Sequence, residues 1–283
     1  MTFAIIGTGN MGGAIVRGLI KSGACRPEDI ICTAKTQTTL DRMREYDACI
    51  RTTTNNSEAV SEADVVMLAV KPWLIEQVME EIRPALVLEK QVIVSVVAGV
   101  TLNKLATYAI PEYEVKVMNR ICAEVVGEEP EPFNEPAIFR VIPNTAVEAL
   151  CGVTFIAHQG AIKEQVEQIK HLFAALGYAL VVDEKQIPAG TALASCGIAF
   201  AMRYIRAAME GGVELGFRPE EAARIVEHTV KGAATLLLDS GEHPEMAIDK
   251  VTTAGGITIK GLNAMENAGF TSSVIDGLKA SMV

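Results

Sequence analysis

The chain has 283 residues, 49% of them apolar and 21% charged, with a formal net charge of −10. That length suits two ordinary domains, and the apolar share supplies a packed core and argues against disorder. The acidic balance, with no Lys/Arg run, excludes a nucleic-acid surface, and no stretch of about 20 apolar residues offers a membrane span.

The first strand is predicted at residues 2–6, so no signal peptide is expected before the fold. Gly7-Thr8-Gly9-Asn10-Met11-Gly12 follows it directly and opens a helix over residues 11–21, the context that G-x-G-x-x-G requires. Gly7 permits the tight turn, Gly9 lets the backbone approach a pyrophosphate, and Gly12 allows close helix–strand packing. The phosphates would lie on the helix N-terminus. An ordinary glycine-rich turn is the alternative.

The second strand is predicted at residues 29–33. Its end separates NAD from NADP, because an acid there binds the ribose hydroxyls and repels a 2′-phosphate. Here the chain reads Thr33-Ala34-Lys35-Thr36, with no acid. Lys35 supplies charge and the two threonines supply hydroxyls, which points to NADP(H); otherwise Lys35 is a solvated loop lysine.

A helix follows at residues 38–46. The runs DVVMLAV at 64–70 and QVIVSVV at 91–97 are near-continuous and β-branched, as parallel strands covered on both faces are. Helices are predicted at residues 74–82 and 102–109, and this alternation implies a doubly wound sheet of the Rossmann type. Residues 124–136 hold five glutamates and three prolines and read as an exposed acidic loop. Strands at 138–142, 153–157 and 178–182, with a helix at 163–176, complete a first domain over residues 1–183.

Residues 184–283 read as all-helical, with helices at 189–215, 219–238, 244–250, 257–268 and 272–282. The first is apolar on most faces, so it is expected to be buried in a core or against another subunit. Gly255-Gly256 precedes the helix that starts near Ile257. Free N–H groups there, with no side chains in the way, form an anion site; a flexible helix start is the other reading.

Six cysteines, Cys25, Cys32, Cys49, Cys122, Cys151 and Cys196, form no C-x-x-C pair and have no His at zinc-ligand spacing. They read as buried, reduced thiols of a cytoplasmic protein, with no metal site. The four histidines, His158, His171, His228 and His243, fall on predicted surface helices and turns.

An ordered set of segments resembles the pyrroline-5-carboxylate reductase family. It comprises IIGTGNMGGAIVRGLIKSG near the N-terminus, AVKP at 69–72, VAGVTLNKL at 97–105, RVIPNT at 140–145, GVT at 152–154, VDE at 182–184 and HPEMAIDKVTTAGGITIKGLNAMENAGF at 243–270. The resemblance implies an NADP-dependent reductase of a cyclic imino acid, with a helical C-terminal dimerisation domain and dimers that assemble further. It implies that Asn56, Ala69, Val70 and Lys71 line the ribose and pyrophosphate side of the cofactor. Ala98, Gly99 and Asn144 would lie near the nicotinamide. Thr253, Gly255 and Gly256 would bind the substrate carboxylate, and Thr258 would contact the imine nitrogen. A protonated imine is already activated, so orientation and one hydrogen-bond partner suffice and no strong acid is required. Lys71 reads as a packing and backbone-orienting residue.

The chain departs from the family's usual pattern at Ala254, where a proline is usual, at the bulky Ile257, and at Ala194-Ser195-Cys196-Gly197-Ile198-Ala199-Phe200 in place of S-G-S-G-P-A-Y. These differences touch the substrate half. A reductase of another cyclic imine or a keto acid, and a catalytically silent NADP-binding protein, are the alternatives.

Overall fold

The computed structural model describes residues 1–126 and 135–282. They divide into two compact units, Met1–Gly190 and Thr191–Val283.

The first unit alternates strands and helices. Strand β1 (Phe3–Ile6) leads into α1 (Asn10–Lys21), then β2 (Ile30–Thr33), α2 (Gln37–Tyr46), β3 (Arg51–Thr53), α3 (Asn56–Ser61) and β4 (Val65–Leu68). Next come α4 (Ile75–Ile82), β5 (Val92–Ser95), α5 (Leu102–Ala109), α6 (Tyr113–Val126), β6 (Ile138–Pro143), β7 (Gly152–Gln159), α7 (Lys163–Ala174), β8 (Gly177–Val181) and α8 (Ile187–Gly190). The eight strands form one sheet in the order β3-β2-β1-β4-β5-β6-β7-β8.

Every neighbouring pair is parallel except β6 and β7. The link between those two is too short for a crossover, which needs a dozen or more residues, so the chain can only double back. Its middle is a short 3₁₀ segment, Thr145–Ala149.

Burial on both faces explains the continuous apolar strands. Successive side chains alternate: Phe3 and Ile5 pack with Ile15, Leu19, Phe139 and Phe173 on one face. Ala4 and Ile6 pack with Val66, Met79, Leu105 and Ile138 on the other.

Three elements differ from the sequence expectation. β3 and α3 are short and polar, so they carry too little periodicity to announce themselves. The start of the expected acidic loop is helical instead, since Glu124 and Val126 close α6. Residues 127–134 of that loop lie outside the described residues. Glu135, near the end of the loop, accepts a 2.5 Å hydrogen bond from the hydroxyl of buried Tyr113.

The second unit is helical: a π-helical turn at Thr191–Cys196, then α9 (Gly197–Glu214), α10 (Pro219–Ser240), α11 (Pro244–Lys250), α12 (Ile257–Asn267) and α13 (Phe270–Ala280). The expected single helix over 189–215 is therefore interrupted. Ala192 in the π-helical turn is buried, but no residue of α9 is, and Met202, Tyr204, Val213 and Leu215 are all exposed. Tyr204 packs edge-on against Phe270, 6.4 Å between ring centroids, beside an apolar groove of about 540 Å³.

All six cysteines are free, but only Cys25 and Cys32 are buried. Cys49 sits in a turn, Cys151 just ahead of β7 and Cys122 on the outer side of α6, all exposed, and Cys196 is half-buried, which corrects the expectation of buried thiols. Burial pushes the Cys25 and Cys32 thiols up from 9.0 to about 12, with Asp29 adding a smaller push on Cys25. The folded chain thus keeps protons that the unfolded chain loses above pH 9. The stabilisation is complete below pH 9 and is lost as pH rises towards 12. Raising the pH from 8 to 10 should remove about 1.4 kcal/mol through Cys32 alone. Urea titrations at both values should show a correspondingly smaller loss in Cys32→Ala, and equal losses would contradict this.

Candidate active site

At the carboxyl end of β1 the chain must turn sharply into α1. Gly7 does so with φ +96°, a region that side chains rarely adopt. A Cβ on Gly7 would lie 3.0 Å from the Ala69 carbonyl oxygen, and one on Gly12 would lie 2.3 Å from that of Gly7. Gly9 differs, because a Cβ there would meet nothing within 4 Å.

The turn hangs on the end of β2. The Thr8 N–H and hydroxyl donate to the Thr33 carbonyl at 2.9 and 3.0 Å, and the Gly7 N–H donates to it at 3.2 Å. The Thr33 hydroxyl donates to Asn56 Oδ1 at 2.7 Å, and Asn56 Nδ2 donates to Glu81 at 3.1 Å. Thr33 is only 1% exposed. Its hydroxyl hydrogen is spent inside the fold, which removes it from the expected set of phosphate donors. Lys35 and Thr36 remain exposed beyond half-buried Ala34. This Thr33–Asn56–Glu81 chain escapes sequence reading, because Glu81 lies on α4, far from the motif.

Helix α1 has no side-chain cap, and its first intrahelical bond runs from Gly13 N–H to Gly9 C=O. The N–H groups of Asn10, Met11 and Gly12 precede that bond, so helix geometry leaves them without an intrahelical partner. Open space at Gly9 beside them is what a pyrophosphate needs.

The other predicted cofactor residues fall along the same edge. Ala69 and Val70 follow β4 and are half-buried, and Lys71 is exposed, with its carbonyl accepting from Leu74 N–H at 2.9 Å. The Lys71 side chain is therefore solvent-facing and does not pack. Ala98 and Gly99 follow β5 and are exposed. Asn144 follows β6 and is buried, and its Oδ1 accepts from Ala146 and Val153 N–H, both at 3.2 Å. The strands β2, β1, β4, β5 and β6 are parallel neighbours, so their carboxyl ends form one edge that includes the switch point between β1 and β4.

In the second unit, Gly255 has φ +71° and Gly256 caps α12 with no side chain. The Gly256 N–H donates to the Thr253 carbonyl at 3.0 Å, and a Cβ on Gly256 would meet the Thr253 hydroxyl at 2.4 Å. Thr253, Ala254 and Thr258 are exposed, and Ile257 is 88% exposed. The first-turn N–H groups of Ile257, Thr258 and Ile259 have no intrahelical acceptor. The four histidines are exposed, and His243 caps α11 through Nδ1, which accepts from Glu245 N–H at 3.3 Å. Among the described residues, no group of three His, Cys, Asp or Glu could hold a metal, and no helix is long and apolar enough to cross a membrane.

The sheet order and the uncapped glycine turn define a protein of the Rossmann dinucleotide-binding class. Residues 2–99 match the model of a family described as NADP oxidoreductase, coenzyme F420-dependent. Residues 184–283 match that of pyrroline-5-carboxylate reductase dimerisation, which makes the helical segment an oligomerising one. Pyrroline-5-carboxylate reductase 2 of Dictyostelium discoideum is 32% identical over 98% of this chain and 90% of its own length. Pyrroline-5-carboxylate reductase 1 of the same organism is 37% identical over 98% of this chain, which spans only 48% of that relative. A solved pyrroline-5-carboxylate reductase from Coxiella burnetii superposes with a TM-score of 0.84, at 28% identity, over 99% of this chain and 96% of the other. The chain belongs to the pyrroline-5-carboxylate reductase family.

Gly9 and Gly12 separate phosphate contact from packing. Gly9→Ala should leave the melting temperature within about a degree of wild type while weakening NADPH binding at least about tenfold. Gly12→Ala should lower both. Fluorescence titration with NADPH beside thermal melts checks this; unchanged affinity in Gly9→Ala would place the phosphates elsewhere.

Proposed function

We propose that this chain reduces L-pyrroline-5-carboxylate to L-proline with NADPH. Family membership over nearly the whole chain carries the proposal. When bound, the reduced cofactor supplies a hydride to the carbon of the C=N bond.

The chain's own part is to bind and orient. The N–H groups at Asn10, Met11 and Gly12, with Gly7, Thr8 and Gly9 shaping their turn, hold the pyrophosphate. Ala34, Lys35 and Thr36 meet the 2′-phosphate. Asn56, with Ala69, Val70 and Lys71, lines the ribose and pyrophosphate side, and Ala98, Gly99 and Asn144 border the nicotinamide. Thr253, Gly255 and Gly256 hold the substrate carboxylate against the start of α12. Thr258 is the catalytic residue: its hydroxyl makes no hydrogen bond among the described residues and is exposed, so it is free to donate to or accept from the imine nitrogen.

The work is divided between a cofactor domain, residues 1–183, and a substrate-binding and dimerisation domain, residues 184–283. The exposed apolar side chains of α9 support a homodimer, with further assembly of dimers. Six free thiols support a reducing, cytoplasmic setting. The exposed Ile257 beside Thr258 favours one second reading, a cyclic imino acid with a larger apolar ring.

NADPH oxidation with pyrroline-5-carboxylate, beside larger cyclic imines, tests the substrate. Turnover only with the latter would select the second reading, and turnover with neither would reject both. Thr258→Val keeps the side-chain shape and should lower kcat by about 10- to 1000-fold with NADPH affinity unchanged. Wild-type kcat in that variant would remove Thr258 from the chemistry. Lys35→Glu should erase or invert the preference for NADPH over NADH in kcat/KM, and an unchanged ratio would free Lys35 of that role.

A further inference from the structure

Strand β6 carries an arginine in the middle of an apolar run, Ile-Phe-Arg-Val-Ile-Pro. By strand alternation Arg140 shares the face of Ile138 and Ile142, which pack against α5. Its side chain is 11% exposed, and Nη1 donates to Glu184 Oε1 at 2.9 Å. The same oxygen accepts the Leu102 N–H at 2.8 Å. Leu102 is the first residue of α5, so helix geometry leaves its N–H without an intrahelical partner. A carboxylate 82 residues away in sequence fills that vacancy, while Thr101 supplies the local cap by accepting from Lys104 N–H at 3.2 Å.

The other end of this arrangement is equally specific. Arg140 is the register partner of Ser95, the last residue of β5. The pair therefore ties the end of β5 to the start of α5. Between these two points lie residues 96–101, including exposed Ala98 and Gly99. Gly99 has φ +77°, with open space around it. Val97 and Val100 anchor the loop in the core on either side, so only its tip, Ala98 and Gly99, lacks packing of its own to set its position.

We propose that Arg140 and Glu184 are positioning residues that clamp the β5–α5 loop and so set where Ala98 and Gly99 stand against the nicotinamide ring. This rests on the placement of that loop in the proposed function. Net stability is a weak explanation for the pair, because a shielded ion pair roughly repays its own desolvation. It does supply directional, charge-assisted bonds that hold two chain segments at one separation. Hydride transfer is sensitive to that separation, and a displacement of about 1 Å can cost about a hundredfold in rate.

The test compares wild type, Glu184→Gln, Glu184→Ala and the double variant Arg140→Met/Glu184→Met, in which apolar side chains replace the pair. Glu184→Gln keeps an acceptor for the Leu102 N–H and should stay close to wild type. Glu184→Ala and the double variant should show at least about tenfold faster hydrogen exchange in the segment 97–104 without cofactor. In their binary complexes NADPH should bind within about threefold of wild type, while its nicotinamide emission shifts towards that of free NADPH. Turnover of pyrroline-5-carboxylate should fall about 10- to 100-fold in kcat with KM for NADPH unchanged. Wild-type exchange and emission in both variants would overturn the clamp. So would a loss of NADPH affinity in proportion to a lowered melting temperature in both, which is the mark of general destabilisation. If wild type fails to turn over pyrroline-5-carboxylate but exchange and emission respond as expected, the substrate assignment falls and the clamp stands.

Discussion

A sheet whose two faces are both apolar has only its edges and its strand ends left for chemistry. In the first unit Phe3 and Ile5 face one layer of helices, and Ala4 and Ile6 face the other, so neither face can admit a polar ligand. Parallel strands then bring their carboxyl ends to one side. The loops that follow β1, β2, β4, β5 and β6 are forced into a row, although residues 7 and 144 stand far apart in the sequence. Brought together in that way, the short polar or glycine-containing loops can serve one extended ligand.

Within that row the glycine turn is held by bonds that do not use up its ligand-binding groups. The Thr33 carbonyl takes the Gly7 and Thr8 donors, while Asn56 takes the Thr33 hydroxyl hydrogen and is held in turn by Glu81. The N–H groups that open α1 keep their capacity for phosphate. Pre-organisation of this kind lowers the ordering cost of binding, because the donors are already aimed before the ligand arrives. The buried side chains support, and the exposed backbone binds. Asn144 shows the same division, since its Oδ1 shapes the turn after β6 by accepting two backbone N–H groups.

The helical unit has the opposite economy. No residue of α9 is buried within it, and large apolar side chains such as Met202 and Leu215 face outwards. Apolar surface of that extent is unusual on a finished molecular surface and marks a contact yet to be made. The match of residues 184–283 to a dimerisation family agrees with that physical reading. Association that covers these side chains adds to stability by mass action, so the stability of one chain taken alone understates that of an assembled one.

Patterns that depend on neighbouring residues were legible from the chain alone. G-x-G-x-x-G after an apolar run specified a strand, a turn and a helix start, because sterics at Gly7 and Gly12 admit no side chain. The β-branched runs specified strands covered on both faces, and α5, α11 and the start of α12 fall at the expected residues. Short polar elements such as β3 and α3 gave no comparable signal, since they are set by where the sheet needs another strand. The π-helical interruption ahead of α9 was equally silent. Which threonine would be free and which one spent was also beyond reach: Thr33 and Thr36 look alike in sequence, but only folding brings Asn56 to Thr33. Arg140 sits in an apolar strand, but its partner Glu184, and the Leu102 N–H that donates to the same carboxylate oxygen, come from distant segments. Local sterics and periodicity are written in consecutive residues, whereas the pairing of distant polar groups is decided only when burial forces each of them to find a partner.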